Sequence, residues 1–466
     1  MIGLFWFGLF RFTVRQRHQK DEDDGEIKIR KMALDVRIFE TISPSRFISF
    51  TIPNPISPIH LLRVAVLDTP VHCTESSPPR VAAILVPKHR ESDWIFSTES
   101  GHLQLLLNLP DISRLILIGD DHDGGSDLPA VYHRPTGEDD ESESLEMRLK
   151  PLVVALSPKT LIREEIDDVP FLIYDDNVVS SVVLEKSVGP FVGEMLIEDV
   201  EIEIEDGVRE FRRRLRFKRM PNLVQSDIKI IPSSCSNSSL PLTGTEFKLH
   251  LTELVHPYLA PMVASLSLIG SDIYELKSRP KALCIGVGGG GLLSFLRLQL
   301  GFEVTGVEID PEVLRIARQY FGLEESLARV HVEDGIEFLK RLSTSCDDDA
   351  KFDVLMVDLD STDPIHGMTA PPVEFVAKDV LQAARKVLVP SGVFIINVIP
   401  PNKTFYHELQ DQFRHVFDEL HEIDVGNGEN FVLIATVTPR DSKSGFNRAN
   451  LTPAVSDNYL DAIQKI

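Results

Sequence analysis

Lys281-Ala282-Leu283-Cys284-Ile285-Gly286-Val287-Gly288-Gly289-Gly290-Gly291, with Glu303-Val304-Thr305-Gly306-Val307-Glu308-Ile309-Asp310-Pro311 behind it, decides how this chain is read. An apolar run meets a string of glycines and then an apolar helical pattern, which predicts strand, tight turn and helix. Glycines lack a Cβ, so the backbone can turn sharply there and come close to a ligand. The second strand closes on Glu308, about twenty residues past the loop, where a carboxylate can take both hydroxyls of a ribose. Asp310 before Pro311 is an N-cap followed by proline at the first helical position. Gly289, a residue without charge, is expected to leave the backbone amides of the loop open to an anion.

Strand–helix alternation continues outward from this core. Candidate strands are Ala282–Gly286, Glu303–Glu308, Ala328–Val332, Phe352–Asp358, Val393–Val398, Glu419–Val425 and Phe431–Val437. Candidate helices are Leu292–Leu300, Pro311–Phe321, Gly335–Leu342, Val373–Val387 and Lys403–Phe417. Such alternation predicts a doubly wound, mainly parallel sheet. The last two strands are joined only by Gly426 to Asn430, too short for a crossover, so they form an antiparallel hairpin. The expected fold class is therefore α/β: a Rossmann-like, seven-stranded sheet with a reversed last strand, the class I methyltransferase architecture, preceded by a β-rich domain. That architecture favours S-adenosylmethionine over a dinucleotide as cofactor.

Several acids fall where the crevice of such a sheet would lie. Asp334 follows the third strand, placed to accept from an adenine amino group, and Gly335 opens a helix. The fourth strand delivers Asp358-Leu359-Asp360-Ser361-Thr362-Asp363-Pro364. Asp358, Asp360 and Asp363 are the candidate catalytic residues, holding an amine nucleophile near a cationic sulfonium; an acidic helix-capping turn is the plainer reading. Gly286, Gly288, Gly290, Glu308, Ile309, Asp334, Gly335 and Asp358 are the candidate cofactor residues, and Phe302 and Ile309 the candidate walls of the adenine. His366 reads as a solvated loop residue and His331 as structural; His256 is left open.

Upstream, Leu61 to about Pro232 reads as short strands with one helix near Glu99 to Leu109. Asp120 to Glu146 and Ser233 to Thr245 have little to bury and read as surface insertions. Phe247 to Lys277 reads as a helical stretch kinked by Pro257 and Pro261. The expected organisation is an N-terminal extension (1–55), a strand-rich lead-in (56–232), a Ser-rich linker (233–245), the catalytic domain (246–440) and a tail (441–466). The apolar start, Met1 to Phe12, is interrupted by Arg11 and too short to span a membrane.

A net charge of −23 over 466 residues opposes binding to a phosphate backbone and suits a basic partner. Cys73, Cys235, Cys284 and Cys346 are widely spaced, which argues against both a zinc site and a disulfide framework. No metal is expected, and the cysteine usage fits a cytoplasmic protein that meets neither nucleic acid nor membrane. A homodimer is among the expected assemblies.

These motifs resemble two families. Gly286–Gly291, Glu308-Ile309-Asp310, Asp334-Gly335 and Asp360-Ser361-Thr362-Asp363-Pro364 resemble spermidine synthases, whose glycine loop carries an Asp where this chain has Gly289. The fuller likeness is to the C-terminal half of the methyltransferase-like protein 13 family. It rests on Gly286 to Gly290, Val307 to Pro311, Asp358 to Pro364, Gly367-Met368 and Pro371-Pro372, and upstream on Asp93 to Phe96, Ile197 to Val200, Phe211 to Arg213 and Val224 to Ser226. That resemblance implies S-adenosylmethionine-dependent N-methylation of a protein, in that family the N-terminus of elongation factor 1-alpha. A second half, which modifies a lysine of the same factor, is not expected in this chain, which has one glycine-loop motif. The rival readings are a spermidine synthase-like aminopropyltransferase and an inactive cofactor-binding partner protein.

Overall fold

The computed structural model describes residues 5–7, 10–14, 36–70, 80–109, 111–121, 131–135, 139–159, 169–204, 207–233, 241–269, 279–344, 351–361, 368–428, 430–439 and 457–466. The chain divides into two compact units, Met1–Val183 with Glu201–Val208 and Met220–Leu223, and Leu184–Val200 with Arg209–Arg219 and Val224–Ile466. The division runs through two long strands rather than through the Ser-rich stretch. The first of these strands and the turn after it bond to the helix after Glu308 and to its cap: Glu185 pairs with Arg315, and the amides of Phe191 and Val192 donate to Asp310.

The first unit is built on β1 (Phe5–Phe7), β2 (Phe10–Val14), β3 (Phe47–Pro53), β4 (Leu61–Asp68), β5 (Val81–Leu85), β6 (Arg114–Asp120), β7 (Val131–His133) and β8 (Phe171–Asp175). Its sheet runs β1-β2-β8-β5-β6-β4-β3, with β5 parallel to both β6 and β8. Alternate residues bury opposite faces: Leu115 and Leu117 join one core, Ile116 and Ile118 the other. Helix Glu99–Leu107 covers the first and helix Asp139–Ala155 the second. The lead-in is thus α/β rather than simply strand-rich. The second helix lay hidden because its first turns are acidic and its buried apolar stripe starts late, with Leu149 and Val153. The N-terminal segment adds to this sheet: β2 pairs with β8, Arg11 opposite Asp175. Phe10, Phe12 and Val14 alternate with Arg11 and Thr13, the period of a strand.

Next come β9 (Val178–Gly189), β10 (Gly193–Glu203), β11 (Arg209–Phe217), β12 (Val224–Pro232) and β13 (Phe247–Leu249), in a six-stranded sheet ordered β13-β12-β11-β10-β9-β7. The second unit's part of this sheet buries Met195, Ile197, Leu215, Phe217 and Ile228 against Val313, Ile316 and Phe321. Here the expected kinked helix is overturned. Phe247–Leu249 is a strand paired with Ile230 to Pro232, and among the described residues the α-helix covers Leu259–Ala264. Pro257 stands just before that helix and Pro261 in its first turn, where a missing amide costs nothing.

The second unit's main sheet holds β14 (Lys281–Ile285), β15 (Glu303–Glu308), β16 (Arg329–Val332), β17 (Phe352–Val357), β18 (Leu388–Val398), β19 (Glu419–Asp424), β20 (Phe431–Thr436) and β21 (Gln464–Lys465). The order is β16-β15-β14-β17-β18-β20-β19-β21. The first five are parallel to one another; β20 is antiparallel to both β18 and β19. The sheet has eight strands where seven were expected, because the chain's last residues pair with β19. Both faces are covered: Cys284, Met356 and Ile395 point to a core shared with Leu293, Phe295, Leu314 and Ala317, while Ile285, Val357 and Ile396 point to one shared with Phe338, Leu381 and Phe413. Parallel strands buried on two sides are read as near-continuous apolar runs, as these are.

Candidate functional site

The carboxyl ends of β14, β15, β16 and β17 meet at one edge. Gly286 follows β14 at φ +88, and a Cβ there would lie 2.0 Å from the Asp358 carbonyl oxygen. Only glycine fits that approach, and it sets the glycine loop directly against the start of the acidic stretch. The Asp358 amide donates to Ile285 O at 3.0 Å and the Gly286 amide to Val307 O at 3.0 Å, so the three strand ends are locked in register.

Glu308 is 7% exposed and lies under the loop. Its carboxylate accepts from Val287 N at 3.1 Å, from Asp310 N at 3.1 Å and from the Gly288 amide. Burial raises its pKa, and the three amides hold it down in part. A carboxylate offers about four acceptor positions. The grip on two ribose hydroxyls expected from the sequence therefore has about one position left, unless a loop amide lets go. Asp310 is fully buried, with no cation among the described residues; Oδ1 caps the following helix through Glu312 N at 2.9 Å, and Oδ2 takes Phe191 N and Val192 N.

The loop amides are not open as expected. Gly289 N donates to Ser226 Oγ at 2.7 Å, and Gly290 N to Val287 O at 2.8 Å. Ser226, on β12, reaches the loop from 63 residues away, a contact that no local pattern announces.

Ile309 is 36% exposed beside Glu308, available to wall a ligand. Phe302 is not: at 2% exposed it belongs to the core with Phe295 and Leu296. Asp334 is exposed and caps its helix, with Oδ1 taking Ile336 N at 2.9 Å and Glu337 N at 3.0 Å. Gly335 sits against Ile285 and Phe375, where a Cβ would come within 2.5 Å of Ile285 Cγ2. His331 is tilted against the Phe338 ring at 5.1 Å, in keeping with a structural role.

The two described acids of the acidic stretch sit in different surroundings. Arg219 Nη2 donates to Asp360 Oδ1 at 2.8 Å and to Oδ2 at 2.7 Å, an ion pair 21% exposed on each side. Burial raises the Asp360 pKa and Arg219 opposes it. Among the described residues Asp358 has no cation. Tyr258 OH donates to its Oδ2 at 3.3 Å and the Asn397 side chain donates as well, while burial, aided by Asp360, lifts its pKa to about 6. Tyr258 stacks on His256 at 5.5 Å, and burial keeps that histidine's pKa low. Asp363 and His366 lie outside the described residues, as do Cys73, Cys235 and Cys346. Cys284 is a buried free thiol pushed up to about 12 by burial. Among the described residues no His, Cys, Asp or Glu cluster could hold a metal, and no helix is long and apolar enough to cross a membrane.

Sequence reading did not find Arg219, Ser226, Tyr258 or Asn397 as part of this site. Arg219 ends a basic run, Arg209 to Arg219, that stands out in an acidic chain and was the one signal available.

The arrangement has relatives. The Spermine/spermidine synthase domain family matches residues 267–422. The eEF1A lysine and N-terminal methyltransferase of Bos taurus is 30% identical over 357 residues, 72% of this chain and 47% of that protein. Its Homo sapiens counterpart is 29% identical over 353 residues, again 72% and 47%. Among solved structures, human methyltransferase-like protein 13 in complex with SAH is similar at 27% identity and a TM-score of 0.39, covering 44% of this chain and 91% of that one. The chain spans about half the length of the curated relatives it matches. The likeness read from the motifs, to a family of elongation factor 1-alpha methyltransferases, is matched by these curated relatives.

Proposed function

We propose that this chain is an S-adenosylmethionine-dependent protein N-methyltransferase acting on an amine of eEF1A, its N-terminus or a lysine. The observation that carries the reading is the meeting of a glycine loop, the buried Glu308 and the Asp358–Asp360 pair at one edge of a doubly wound sheet. Relatives at about 30% identity bear the name of an eEF1A methyltransferase, which supplies the acceptor. An acidic chain of −23 suits a basic protein partner met in the cytoplasm. We assign the chemistry to the region 246–440.

The residues present fit the cofactor. Gly286, Gly288 and Gly290, at φ +88, +51 and +80, let its amino-acid end approach the backbone. Glu308 would offer its remaining acceptor position to the ribose, Asp334 would take the adenine amine, and Ile309 and Gly335 would flank the ring. When bound, S-adenosylmethionine supplies an electrophilic methyl group on a sulfonium, a displacement that needs alignment more than covalent help.

The two acids then divide the work on the incoming amine. Arg219 keeps Asp360 ionised and fixed, an anchor for a cationic substrate group. Asp358, lifted to about 6 and held by neutral donors, accepts the proton that an ammonium must lose before its nitrogen can attack. Asp363 would add a third acid to the same stretch.

The aminopropyltransferase reading has the family match over 267–422 in its favour. It fares worse at the loop: an acid at position 289 has no room, because a Cβ there would lie 2.8 Å from Phe321 Cδ1 and 3.0 Å from Ser226 Cβ. Incubating the full chain with radiolabelled S-adenosylmethionine and a cell extract tests the proposal. A labelled band at eEF1A supports it, and a label appearing only in small molecules contradicts it.

A further inference from the structure

Asp358 follows Val357, whose partner across the parallel strands β17 and β18 is Ile396, so Asn397, 3% exposed, stands beside it with its amide favouring the charged acid, and belongs to a chain of side-chain amides reaching the hairpin between β19 and β20. The orientation of every member follows from one backbone group. Asn430 N–H can only donate, and it meets Asn427 Oδ1 at 2.9 Å. Asn427 Nδ2 is therefore the other end of that amide, and it donates to Asn430 Oδ1 at 2.7 Å. Asn430 Nδ2 is thereby turned to Asn397, donating to its Oδ1 at 2.9 Å. Only the Asn397 NH2 group is left to face Asp358, so the carboxylate meets a donor and never a carbonyl. Asn430 is 5% exposed, and a buried amide turned the wrong way would set like against like without water to relieve it.

We infer that Asn397 is a positioning residue for Asp358, and that Asn430 and Asn427 fix its amide so that the charged form of the acid stays hydrogen-bonded. The inference rests on the reading of Asp358 as proton acceptor. Among the described residues the other groups facing Asp358 are Tyr258, which donates to it, Asp360 with its partner Arg219, and the buried Cys284. Asp360 and Asn397 therefore act in opposite senses: the neighbouring acid disfavours the charge on Asp358 and the amide favours it.

The test uses the full chain with Asn397→Ala and Asn430→Ala, read in two ways. With S-adenosylmethionine and purified eEF1A, the acid limb of kcat/KM should move up by about half to one pH unit in Asn397→Ala, and less in Asn430→Ala. KM for S-adenosylmethionine should stay within about twofold. Melting temperature needs no acceptor: Asn397→Ala should lose more stability at pH 8 than at pH 4.5, and that difference should vanish in an Asp358→Asn background. Asn430→Ala leaves β18 intact and gives the same reading if Asn397→Ala does not fold. An unmoved limb together with a pH-independent melting difference overturns the inference. A wild type inactive on eEF1A overturns the functional reading instead, while the melting series still decides the role of Asn397.

Discussion

Ser226 Oγ accepts the Gly289 amide at 2.7 Å and donates to Gln225 O at 2.8 Å, so a strand residue from far upstream clamps the glycine loop. A side chain at 289 would press on Phe321 and on Ser226 itself. Gly289→Ala is expected to cost about 1–3 kcal/mol through overpacking. Gly289→Asp should weaken S-adenosylmethionine and its decarboxylated form alike rather than exchange one preference for the other. Calorimetric titration of both donors checks this; a clean reversal of preference would show that the loop can make room for the acid.

Glu308→Ala should weaken S-adenosylmethionine binding by about 1.5–3 kcal/mol, from the lost charge-assisted bond to the ribose. It should also lower the melting temperature of the ligand-free chain, since the Val287, Gly288 and Asp310 amides lose their acceptor. Calorimetry and thermal melts separate the two effects. Unchanged affinity would place the cofactor elsewhere.

Asp358 carries a pH signature with opposite signs for stability and rate. Its folded pKa of about 6 lies above the ordinary aspartate value of about 3.9. Its contribution to stability is complete below about 3.9 and is lost as pH rises through about 6. Activity should rise over that same interval, because only the charged form takes a proton. Asp358→Asn should therefore melt higher than wild type at pH 8 while losing most of its activity. A variant that is both less stable and still active would contradict the assignment.

Arg219→Met leaves Asp360 without its cation at a largely buried position. The expected cost is about 1–3 kcal/mol, and Asp360→Asn in the same chain should recover part of it. A double-mutant cycle on melting free energies measures the coupling; additive effects would mean the pair contributes nothing.

The main sheet was legible because its signals are local. Glu303–Glu308 and Pro311–Tyr320 show their period within one window, and Asp310-Pro311 marks its own helix start. The strand Phe247–Leu249 was misread because its pairing with Ile230 to Pro232 is set by a partner outside the window, while its neighbours carry helical spacing. The candidate site divides the same way. Gly286, Glu308 and Asp358 stand at strand ends and could be placed from the alternation alone. Ser226, Arg219, Tyr258 and Asn397 reach the edge from β12, from the turn after β11, from the residue before a short helix and from β18. Serine, arginine, tyrosine and asparagine at such places have ordinary structural explanations. Even where position was legible, condition was not: nothing in the spacing said that the loop amides were already taken.

The most direct test of the account is intact-mass and peptide mapping of purified eEF1A after incubation with the full chain and S-adenosylmethionine. The expected result is a gain of methyl groups on one amine, at the N-terminus or a lysine, lost with Asp358→Asn. No methyl gain on eEF1A, together with conversion of putrescine to spermidine when the decarboxylated donor is supplied, would contradict it.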